Sequence, residues 1–551
     1  MSEAALAGKF KNWQSLSVKS PKDLASVAEI LMENRRFEQV AGLVYGDHGL
    51  AQVVDAVEGA IRLGKRIGLY ADYDVDGTMS CVAWIWFLES LGYRNFVHYI
   101  PCRFKEGYGL NLKAIEHLID DEKAELIITM DTGITANAEA AYCRARGVEF
   151  ICTDHHVIQP EKMPDCIILN PKMHPDAMYQ ELCGCGITFV LLRKLGERLN
   201  PPAAIWTDLL ALTGMATICD VVPLNGVNHR LAKLGVAALS KSQRPVLRQL
   251  MAACQTLKGV DEKDVGFRLG PRINAVGRLE HADLVIQAFV GNDPEPLIAH
   301  MDSCNEERKR IQKNIVEAAR REACKYPGAT VLFLGGEWHP GVVGIAASKI
   351  AEEFWCPVWL FQRKDGVCKG SARSIKGFDV TAAMTSAASL FTKFGGHAAA
   401  GGFTFPAVHE EALRTALNAH AAGVRAAKPE LWDSCIAFDC ELAPELATLA
   451  LTEQLDGLKP FGHGFEEPKF RLDVEVASTR FFYDKESGEP RHTCVMIQAG
   501  RKGTPPQKVM FFNEVHAELT TAKSAKLIVS VSRSTYRGET SLMLMGHDFR
   551  L

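Results

Sequence analysis

Short apolar runs alternate with longer, helix-like segments in the first part of the chain. Five runs have the length and composition of buried strands, at residues 67–71, 96–100, 126–130, 150–153 and 166–169. Helical candidates lie between them, for example at residues 79–91 and 136–146. Continuous apolar strands that alternate with helices predict an α/β fold, with a parallel sheet covered on both faces. Ligands of such sheets bind outside the carboxyl ends of the strands.

The rest of the chain predicts a helical region, a connecting helix and two further domains. Residues 187–239 are mostly helical in pattern, and the charged stretch 302–325 has the composition of a long, exposed helix. A second, smaller α/β pattern follows, with strands at 331–334, 358–361 and 367–372 and a helix at 342–353. Short alternating strands at 469–476, 494–499, 508–512, 527–531 and 541–545 predict a small β-barrel at the end.

These patterns divide the chain into five parts. They are an N-terminal segment (1–50), a parallel-sheet domain (51–298), a connecting helix (299–327), a second α/β domain (328–456) and a barrel (457–551). A chain of 551 residues is long enough for about three or four domains.

Acidic side chains and histidines follow several of the predicted strands. The positions are Asp72, Asp74 and Asp76 after the first strand, Asp131 after the third, and Asp154, His155 and His156 after the fourth; Asp220 lies in the helical region. Because the carboxyl ends of parallel strands share one edge of a sheet, the strand-end groups converge there. Clustered carboxylates repel one another unless cations neutralise them. Oxygen ligands with one or two imidazoles suit Mn²⁺ or Mg²⁺.

The acidic residues and the cysteines also have three other interpretations: a turn or helix cap, an EF-hand and a zinc site. A single aspartate after a strand is most often a turn or a helix cap. An EF-hand is excluded, because a loop starting at Asp72 has Ala83 where the motif needs glutamate. Cys183 and Cys185 have one residue between them, whereas zinc sites leave two to four and need a second pair, so buried thiols in a Gly-rich turn are expected.

The ordered motifs resemble those of the DHH phosphoesterase superfamily and, within it, the bacterial single-stranded-DNA-specific exonucleases. The matching segments extend over nearly the whole chain: Asp74-Val75-Asp76-Gly77, Asp131-Thr132-Gly133, Asp154-His155-His156, Asp220, Arg268 to Arg278, Trp338 to Ile345, Gly370 to Ser374, Gly395-Gly396-His397 and Lys459-Pro460-Phe461-Gly462. The resemblance implies a DHH catalytic domain, a DHHA1-like substrate-binding domain and an OB-like barrel that binds single strands. It also implies hydrolysis of single-stranded DNA from the 5′ end to 5′-mononucleotides, in recombination and repair.

The resemblance further implies two Mn²⁺ or Mg²⁺ ions in one active site. One would be bound by Asp74 and Asp131, the other by Asp76, Asp131, His155 and Asp220, with Asp131 bridging. His156 would lie next to the scissile phosphate, its precise role open. Many superfamily members have a histidine four residues before the first metal-binding aspartate, where this chain has Tyr70. Asp72 or water would fill that position.

Substrate contacts are implied at two places. The first is Arg272, Asn274 and Arg278, since arginine is the favoured partner of phosphate oxygens, although a structural ion pair is an equally common use of a single arginine. The second, in the DHHA1-like domain, is Ser371, Arg373, Gly395, Gly396 and His397. Arg103 is a further candidate for contacting the 5′ end.

Composition narrows the remaining possibilities. With 47% hydrophobic and 23% charged residues and no run of about 18 apolar residues, the chain is expected to fold and not to enter a membrane. The N-terminus lacks a signal-peptide pattern and the 16 cysteines are sparse, which predicts reduced thiols in the cytoplasm. The net charge of −4 argues against nucleic-acid binding by bulk charge, yet residues 457–551 carry 14 basic and 11 acidic side chains.

Two rival functions stay open at this stage. One is a DHH phosphodiesterase of short oligoribonucleotides or cyclic dinucleotides, although those relatives lack a barrel. The other is a non-catalytic scaffold that binds single strands during replication, although such relatives lose the metal-binding acids that remain here. The family also implies a single-strand-binding protein and a helicase as partners, and we expect a monomer.

Overall fold

The computed structural model describes residues 8–38, 40, 46–174, 179–498, 506–536 and 539–551. The chain forms two compact units. One consists of Glu38–Arg310 with Pro460–Glu466. The other consists of the N-terminal segment through Phe37, Ile311–Lys459 and Glu467–Leu551.

The unit around Glu38–Arg310 contains the predicted parallel sheet. Its five strands, in spatial order, are Phe96–Tyr99, Ile67–Ala71, Leu126–Met130, Glu149–Thr153 and Ile167–Leu169, and every neighbouring pair is parallel. The two strands Ile67–Ala71 and Leu126–Met130 are buried along their whole length. The uninterrupted apolar runs of the sequence therefore correspond to strands covered on both faces, and the predicted α/β class is confirmed.

Helices surround this sheet and form a helical layer beside it. They are Leu50–Arg62, Val75–Ser90, Leu112–Glu116, Asn137–Ala145, Gly184–Leu199, Ile205–Cys219, Gly226–Lys241, Pro245–Ala253, Glu262–Asp264, Gly270–Leu279 and Asp283–Val290. Val75–Ser90 is buried nearly all round, because it packs against the sheet and also against the helices Gly184–Leu199 and Ile205–Cys219. Gly214 and Gly235 lie where two helix backbones touch, and a Cβ on Gly235 would come within 2.4 Å of Gly214 Cα.

The predicted connecting helix is Glu295–Ala323, which has 29 residues. Among the described helices, none combines the length and apolar character that crossing a membrane requires.

The other unit contains a second α/β sheet. Its strands, in spatial order, are Lys393–His397, Ala400–Pro406, Val367–Arg373, Val358–Lys364 and Leu332–Gly336. The pair Leu332–Gly336 and Val358–Lys364 is parallel and the others are antiparallel. The helices of this part are Val343–Phe354, Val380–Thr385 and Glu410–Ala427. The glycine-rich hairpin 393–406 is absent from the sequence-based strand assignment, because glycine carries no strand signal.

The C-terminal strands form the predicted OB-like sheet. In spatial order they are Cys440–Glu441, Lys469–Tyr483, Pro490–Gln498, Gln507–Phe511, Glu539–Arg550 and Ser524–Tyr536. A further antiparallel pairing between Lys469–Tyr483 and Ser524–Tyr536 joins the two sides of the sheet. Helix Leu449–Leu458 lies between the strands Cys440–Glu441 and Lys469–Tyr483 in the chain. The N-terminal segment holds helix Leu24–Asn34 and strand Asn12–Ser15, which pairs in parallel with Cys435–Phe438.

Candidate active site

The turn after the first central strand holds three aspartates in a fixed arrangement. Asp74 caps helix Val75–Ser90, and its Oδ1 accepts hydrogen bonds from the backbone amides of Asp76 (2.9 Å) and Gly77 (3.2 Å). A Cβ on Gly77 would lie 2.3 Å from the Asp72 carbonyl oxygen, so only glycine fits the turn. Asp72 and Asp76 are 4% and 1% exposed. The expected cap role of an aspartate after a strand is thus present at Asp74, alongside its place in the acidic cluster.

One site residue and one neighbour of a site residue have left-handed backbones. Asp131 has φ 59° and Val221, next to Asp220, has φ 60°. Left-handed backbone is costly for side chains other than glycine and is especially unusual for a β-branched residue. Such strain is concentrated at functional sites, and the carboxylate of the strained Asp131 belongs to the cluster.

His155 lies at the centre of one group of ligand atoms. Its Nε2 is 3.1 Å from Asp131 Oδ1, 3.6 Å from Asp220 Oδ2 and 3.8 Å from Asp76 Oδ2. A second group consists of Asp72, Asp74 and Asp131, which offer three oxygens within 4.8 Å of one another. Asp131 contributes to both groups. The structure therefore brings together Asp72, Asp74, Asp76, Asp131 and Asp220. The strand pattern could not place Asp220, whereas the family resemblance assigned it to the same metal as His155.

Several of these buried atoms lack a hydrogen-bond partner among the described residues. They are Asp72 Oδ1, Asp131 Oδ1, Asp220 Oδ2 and both ring nitrogens of His155. A buried oxygen or nitrogen without a partner costs free energy comparable to a lost hydrogen bond. Carboxylate oxygens and a neutral imidazole facing one another fit divalent cations, which would supply the missing partner.

The pKa shifts of the cluster agree with a site for divalent cations. Burial, followed by repulsion from Asp76 and Asp74, raises the pKa of Asp131 well above its usual range. Burial together with Asp76 raises the pKa of Asp220 to about 9. Burial lowers the pKa of His155 to about 3, so its imidazole is neutral and can act as a ligand. Without cations, the cluster therefore binds protons in their place.

The pKa values of the first-turn acids are raised too. Burial and the neighbouring Asp74 raise the pKa of Asp76 to about 6 and that of Asp72 well above its usual range. Tyr70 is buried, and its hydroxyl donates to the Gly109 carbonyl at 3.2 Å. It is outside both ligand groups, whereas Asp72 belongs to one of them.

The N-terminus of helix Gly184–Leu199 holds Asp76. The amides of Gly184 and Cys185 donate to its two carboxylate oxygens at 2.5 and 2.8 Å. A Cβ on Gly184 would lie 2.6 Å from Asp131 Cβ and 3.0 Å from Asp76 Oδ2. Cys183 and Cys185 are buried and free, as expected, and Cys183 Sγ accepts from the Gly186 amide at 3.3 Å. The Gly-rich turn therefore positions Asp76. The sequence does not predict this role, and its one local sign is the group of small residues before an apolar helix.

His156 is oriented by two side chains. Asp154 Oδ1 accepts from its Nδ1 at 2.7 Å, and the Tyr108 hydroxyl lies 3.0 Å from its Nε2. Burial opposes the charged imidazolium, but the hydrogen bond and charge of Asp154 outweigh it and raise the pKa of His156. Tyr108 was not singled out in the sequence, because nothing local distinguishes a tyrosine in a loop.

Two further polar side chains donate hydrogen bonds to the backbone carbonyls of the two histidines. Asn170 Nδ2 donates to the His156 carbonyl at 3.1 Å, and Lys172 Nζ donates to the His155 carbonyl at 2.6 Å. Both follow the strand Ile167–Leu169, so the edge strand contributes to the site through main-chain contacts.

The arginines expected to contact substrate differ in their surroundings. Arg103 lies with its Cζ 5.0 Å from the centre of the Tyr73 ring. A Cβ on Gly277 would lie 2.8 Å from the Tyr73 carbonyl, which places the backbone before Arg278 against the acidic turn. Arg272 forms an ion pair with Asp302 at 2.8 Å, the structural use of arginine that the sequence left open. Asn274 is half-buried on the same helix, Gly270–Leu279.

The residues expected in the second α/β domain lie together on its sheet. Arg373 Nη1 donates to Ser371 Oγ at 2.6 Å on the same strand. The neighbouring strand pairs Ala400 with Arg373 and also with His397 of the exposed hairpin. Gly396 has φ 144°, and a Cβ there would lie 2.3 Å from the Ala400 carbonyl, so the close approach expected from the glycines is between backbones of the hairpin.

Aromatic side chains of the OB-like sheet divide into core and surface. Phe511 is buried, whereas Phe482, Phe512 and Tyr483 are 41%, 42% and 61% exposed. Phe482, Phe512 and Tyr483 are therefore not part of the core of the sheet. The side chain of Tyr536 lies outside the described residues.

Three successive parts of the chain are similar to known protein families. Three family models match: the DHH family, N-terminal domain, at residues 66–216, the DHHA1 domain at 327–423 and the RecJ OB domain at 438–548.

Two curated relatives are named single-stranded-DNA-specific exonuclease RecJ. The one from Bacillus subtilis is 36% identical over 387 residues, covering 67% of this chain and 47% of the relative. The one from Dickeya dadantii is 30% identical over 530 residues, covering 90% and 89%. The chain thus spans about half of the first relative and nearly all of the second.

A solved structure is similar over almost the whole chain. It is the crystal structure of RecJ in complex with Mn²⁺ from Thermus thermophilus, with a TM-score of 0.83 and 27% identity, covering 98% of this chain and 79% of that one. The Mg²⁺ complex from the same organism has a TM-score of 0.77 and 26% identity, covering 98% and 78%.

Proposed function

The chain belongs to the family of the single-stranded-DNA-specific exonuclease RecJ, and from this premise we propose that it is a metal-dependent nuclease. It hydrolyses phosphodiester bonds of single-stranded DNA from the 5′ end and releases 5′-mononucleotides, in DNA recombination and repair. The observation that carries the proposal is the buried cluster at the carboxyl edge of the parallel sheet, with oxygens that no described residue satisfies.

Two Mn²⁺ or Mg²⁺ ions per site are proposed. Asp72, Asp74 and Asp131 would hold one, with Asp72 in place of the usual histidine, and Asp76, Asp131, His155 and Asp220 the other. When bound, such a pair neutralises phosphate charge and makes water a better nucleophile. The Gly184 and Cys185 amides keep the Asp76 carboxylate oriented for this role.

His156 is proposed to act on the scissile phosphate. Because Asp154 accepts from its Nδ1, the proton that would face a phosphate oxygen is on Nε2, where the Tyr108 hydroxyl lies 3.0 Å away in this structure. The raised pKa favours the protonated ring, which stabilises charge that develops on that oxygen. Attack by water needs no covalent enzyme intermediate.

Strand binding is proposed for the arginines and for the OB-like sheet. Arg103 and Arg278 flank the acidic turn, and Arg272 and Asn274 lie on the same helix as Arg278. Ser371, Arg373, Gly395, Gly396 and His397 form a contact surface on the second α/β sheet. Bases would stack on the exposed Phe482, Tyr483 and Phe512, since stacking on aromatic rings is how such folds bind single strands without sequence preference.

The wider setting is proposed on the family relationship. We place the protein in the cytoplasm as a monomer, with a single-strand-binding protein and a helicase as its partners. The division at residues 50, 298, 327 and 456 is retained as a proposal for its functional parts.

The decisive experiment digests one oligonucleotide that is labelled at either end, with a 5′-hydroxyl or a 5′-phosphate. With Mn²⁺, the 5′ label should appear as a mononucleotide at the earliest times, while the 3′ label should remain on strands that shorten gradually. EDTA should stop the reaction. Early release of the 3′ label, or activity that EDTA does not affect, would contradict the proposal, and metal-dependent binding without any product would favour the scaffold.

The Asp131→Asn variant tests the residue assignment. Asparagine tolerates the left-handed backbone at this position better than alanine, so the fold should be retained while hydrolysis is lost. Asp365→Asn is the matched control, because Asp365 also has a positive φ, of 51°, in a turn of the other unit. Full hydrolysis by Asp131→Asn would show that the cluster is not the catalytic centre.

A further inference from the structure

A second group of metal-type ligands lies outside the candidate active site. It consists of Glu280, His300 and Cys304, whose donor atoms all lie within 4.8 Å of one another. Glu280 follows helix Gly270–Leu279, and its amide donates to the Val276 carbonyl at 2.7 Å. His300 and Cys304 are four residues apart on helix Glu295–Ala323, so their side chains lie on one face, a single turn apart.

The distance between the thiol and the imidazole of this group matches that of a tetrahedral metal site. Cys304 Sγ is 3.6 Å from His300 Nε2 and 3.7 Å from Glu280 Oε1, and His300 Nε2 is 2.8 Å from Glu280 Oε2. Zinc binds thiolate sulfur at about 2.3 Å and imidazole nitrogen at about 2.0 Å, which in a tetrahedron separates the two donors by about 3.5 Å. Both sulfur distances are close to that value. The two Glu280 distances involve different carboxylate oxygens, so the carboxylate has to turn for one oxygen to face both other ligands.

The surroundings suit a site that an ion enters from solvent. Cys304 is 5% exposed, whereas the side chains of His300 and Glu280 are 44% and 42% exposed. The sulfur is thus shielded on the protein side while a fourth position faces water. Burial, and next to it the charge of Glu280, raises the pKa of Cys304 to about 11, so the thiol keeps its proton until a metal displaces it.

We propose that Glu280, His300 and Cys304 form a Zn²⁺ site with water as the fourth ligand. A thiolate, an imidazole and a carboxylate suit this borderline-soft cation, whereas the oxygen and imidazole cluster of the active site suits Mn²⁺ or Mg²⁺. The two sites are therefore selective for different metals by ligand type.

The site would join the segment after Arg278 to the long helix. Glu280 is two residues beyond that arginine, and the Arg272–Asp302 ion pair at 2.8 Å already links the same two helices. A bound ion would fix the end of helix Gly270–Leu279, which carries the candidate DNA-binding side chains. The consequence is a structural stabilisation of that helix by zinc.

Cobalt(II) is the probe for this site, because cobalt bound to a thiolate gives a charge-transfer band in the near ultraviolet. The full chain, free of transition metals and kept in excess Mg²⁺ to fill the acidic cluster, is titrated with Co²⁺. One equivalent should produce the band. Cys304→Ser should abolish it, while Cys324→Ser should not, since Cys324 is an exposed thiol just beyond the same helix.

Two further variants keep the test valid if Cys304→Ser does not fold. His300→Gln and Glu280→Gln change half-exposed side chains, and each should weaken Co²⁺ binding by about 10-fold or more. A missing band in the wild-type chain, or a band that survives Cys304→Ser, overturns the proposal. So does unchanged Co²⁺ affinity in both glutamine variants. Since no step measures DNA cleavage, failure here is separate from failure of the proposed nuclease activity.

Discussion

Asp154 offers a sharp test of how the site works, because it contacts His156 without belonging to the proposed metal ligands. Its Oδ1 accepts from His156 Nδ1 at 2.7 Å and from the amides of His155 and His156 at 2.7 and 3.1 Å. Its Oδ2 accepts from the Ile134 amide at 2.9 Å. Burial opposes its ionisation, yet these hydrogen bonds, first the one from His156, lower its pKa. Asp154→Asn removes the charge while keeping the size.

The magnitude follows from the lost charge-assisted hydrogen bond. Such a bond contributes about 1.5–3 kcal/mol, which corresponds to about a 10- to 100-fold smaller population of protonated His156 above its pKa. Because Asp154 raises the pKa of His156, the protonated ring is lost as pH rises, and in the variant it is lost at lower pH. The rate should therefore fall about 10- to 100-fold on the alkaline side and little on the acidic side.

The assay is the pH dependence of kcat on single-stranded DNA at saturating Mn²⁺, with binding of Mn²⁺ measured separately. Asp283→Asn is the matched control, since Asp283 forms a pair of the same length, 2.7 Å, with His98, which is outside the cluster. Only Asp154→Asn should move the alkaline limb. An unchanged profile, or an equal loss at every pH, would show that Asp154 does not act through the proton of His156.

Three more predictions follow from the same geometry. In metal-free protein, the raised pKa values of Asp76 (about 6) and Asp220 (about 9) stabilise the fold at low pH, because the folded state holds protons that the unfolded chain has already lost. Calorimetry should therefore show a melting temperature that falls as pH rises from about 4 to about 9 and then levels off. Mn²⁺ should reverse this slope, and a flat apo profile would contradict the reasoning. Gly184→Ala should lose Mn²⁺-dependent hydrolysis, because the added Cβ would lie 2.6 Å from Asp131 Cβ. Gly59→Ala is the control: Gly59 lies in a helix with nothing within 4 Å of an added Cβ, so this variant should remain active and gain about 0.5–1 kcal/mol of stability. Tyr483→Ala should weaken binding to long single strands by about 1–3 kcal/mol in fluorescence anisotropy, and unchanged affinity would remove Tyr483 from the DNA-binding surface.

Much of the catalytic sheet was predictable because its strands are marked locally. The strands Ile67–Ala71 and Leu126–Met130 have the predicted bounds, since a strand buried on both faces must be apolar throughout. The glycine-rich hairpin 393–406 and strand Asn12–Ser15 were not predicted. The first lacks side chains that mark a strand, and the second is stabilised by pairing with Cys435–Phe438, more than 400 residues away.

The sequence by itself determined which acids and histidines follow the strands, and therefore that carboxylates meet at one edge of a parallel sheet. It also determined the order of the three family domains. The family resemblance already grouped Asp220 with His155, and the structure has the two side chains 3.6 Å apart. Only the tertiary structure supplied the Gly184 amide to Asp76 and set Tyr108 against His156. The physical reason is that periodicity along a chain reports burial and local turns, whereas these contacts join segments about 50 to 110 residues apart and depend on how helices pack on the sheet.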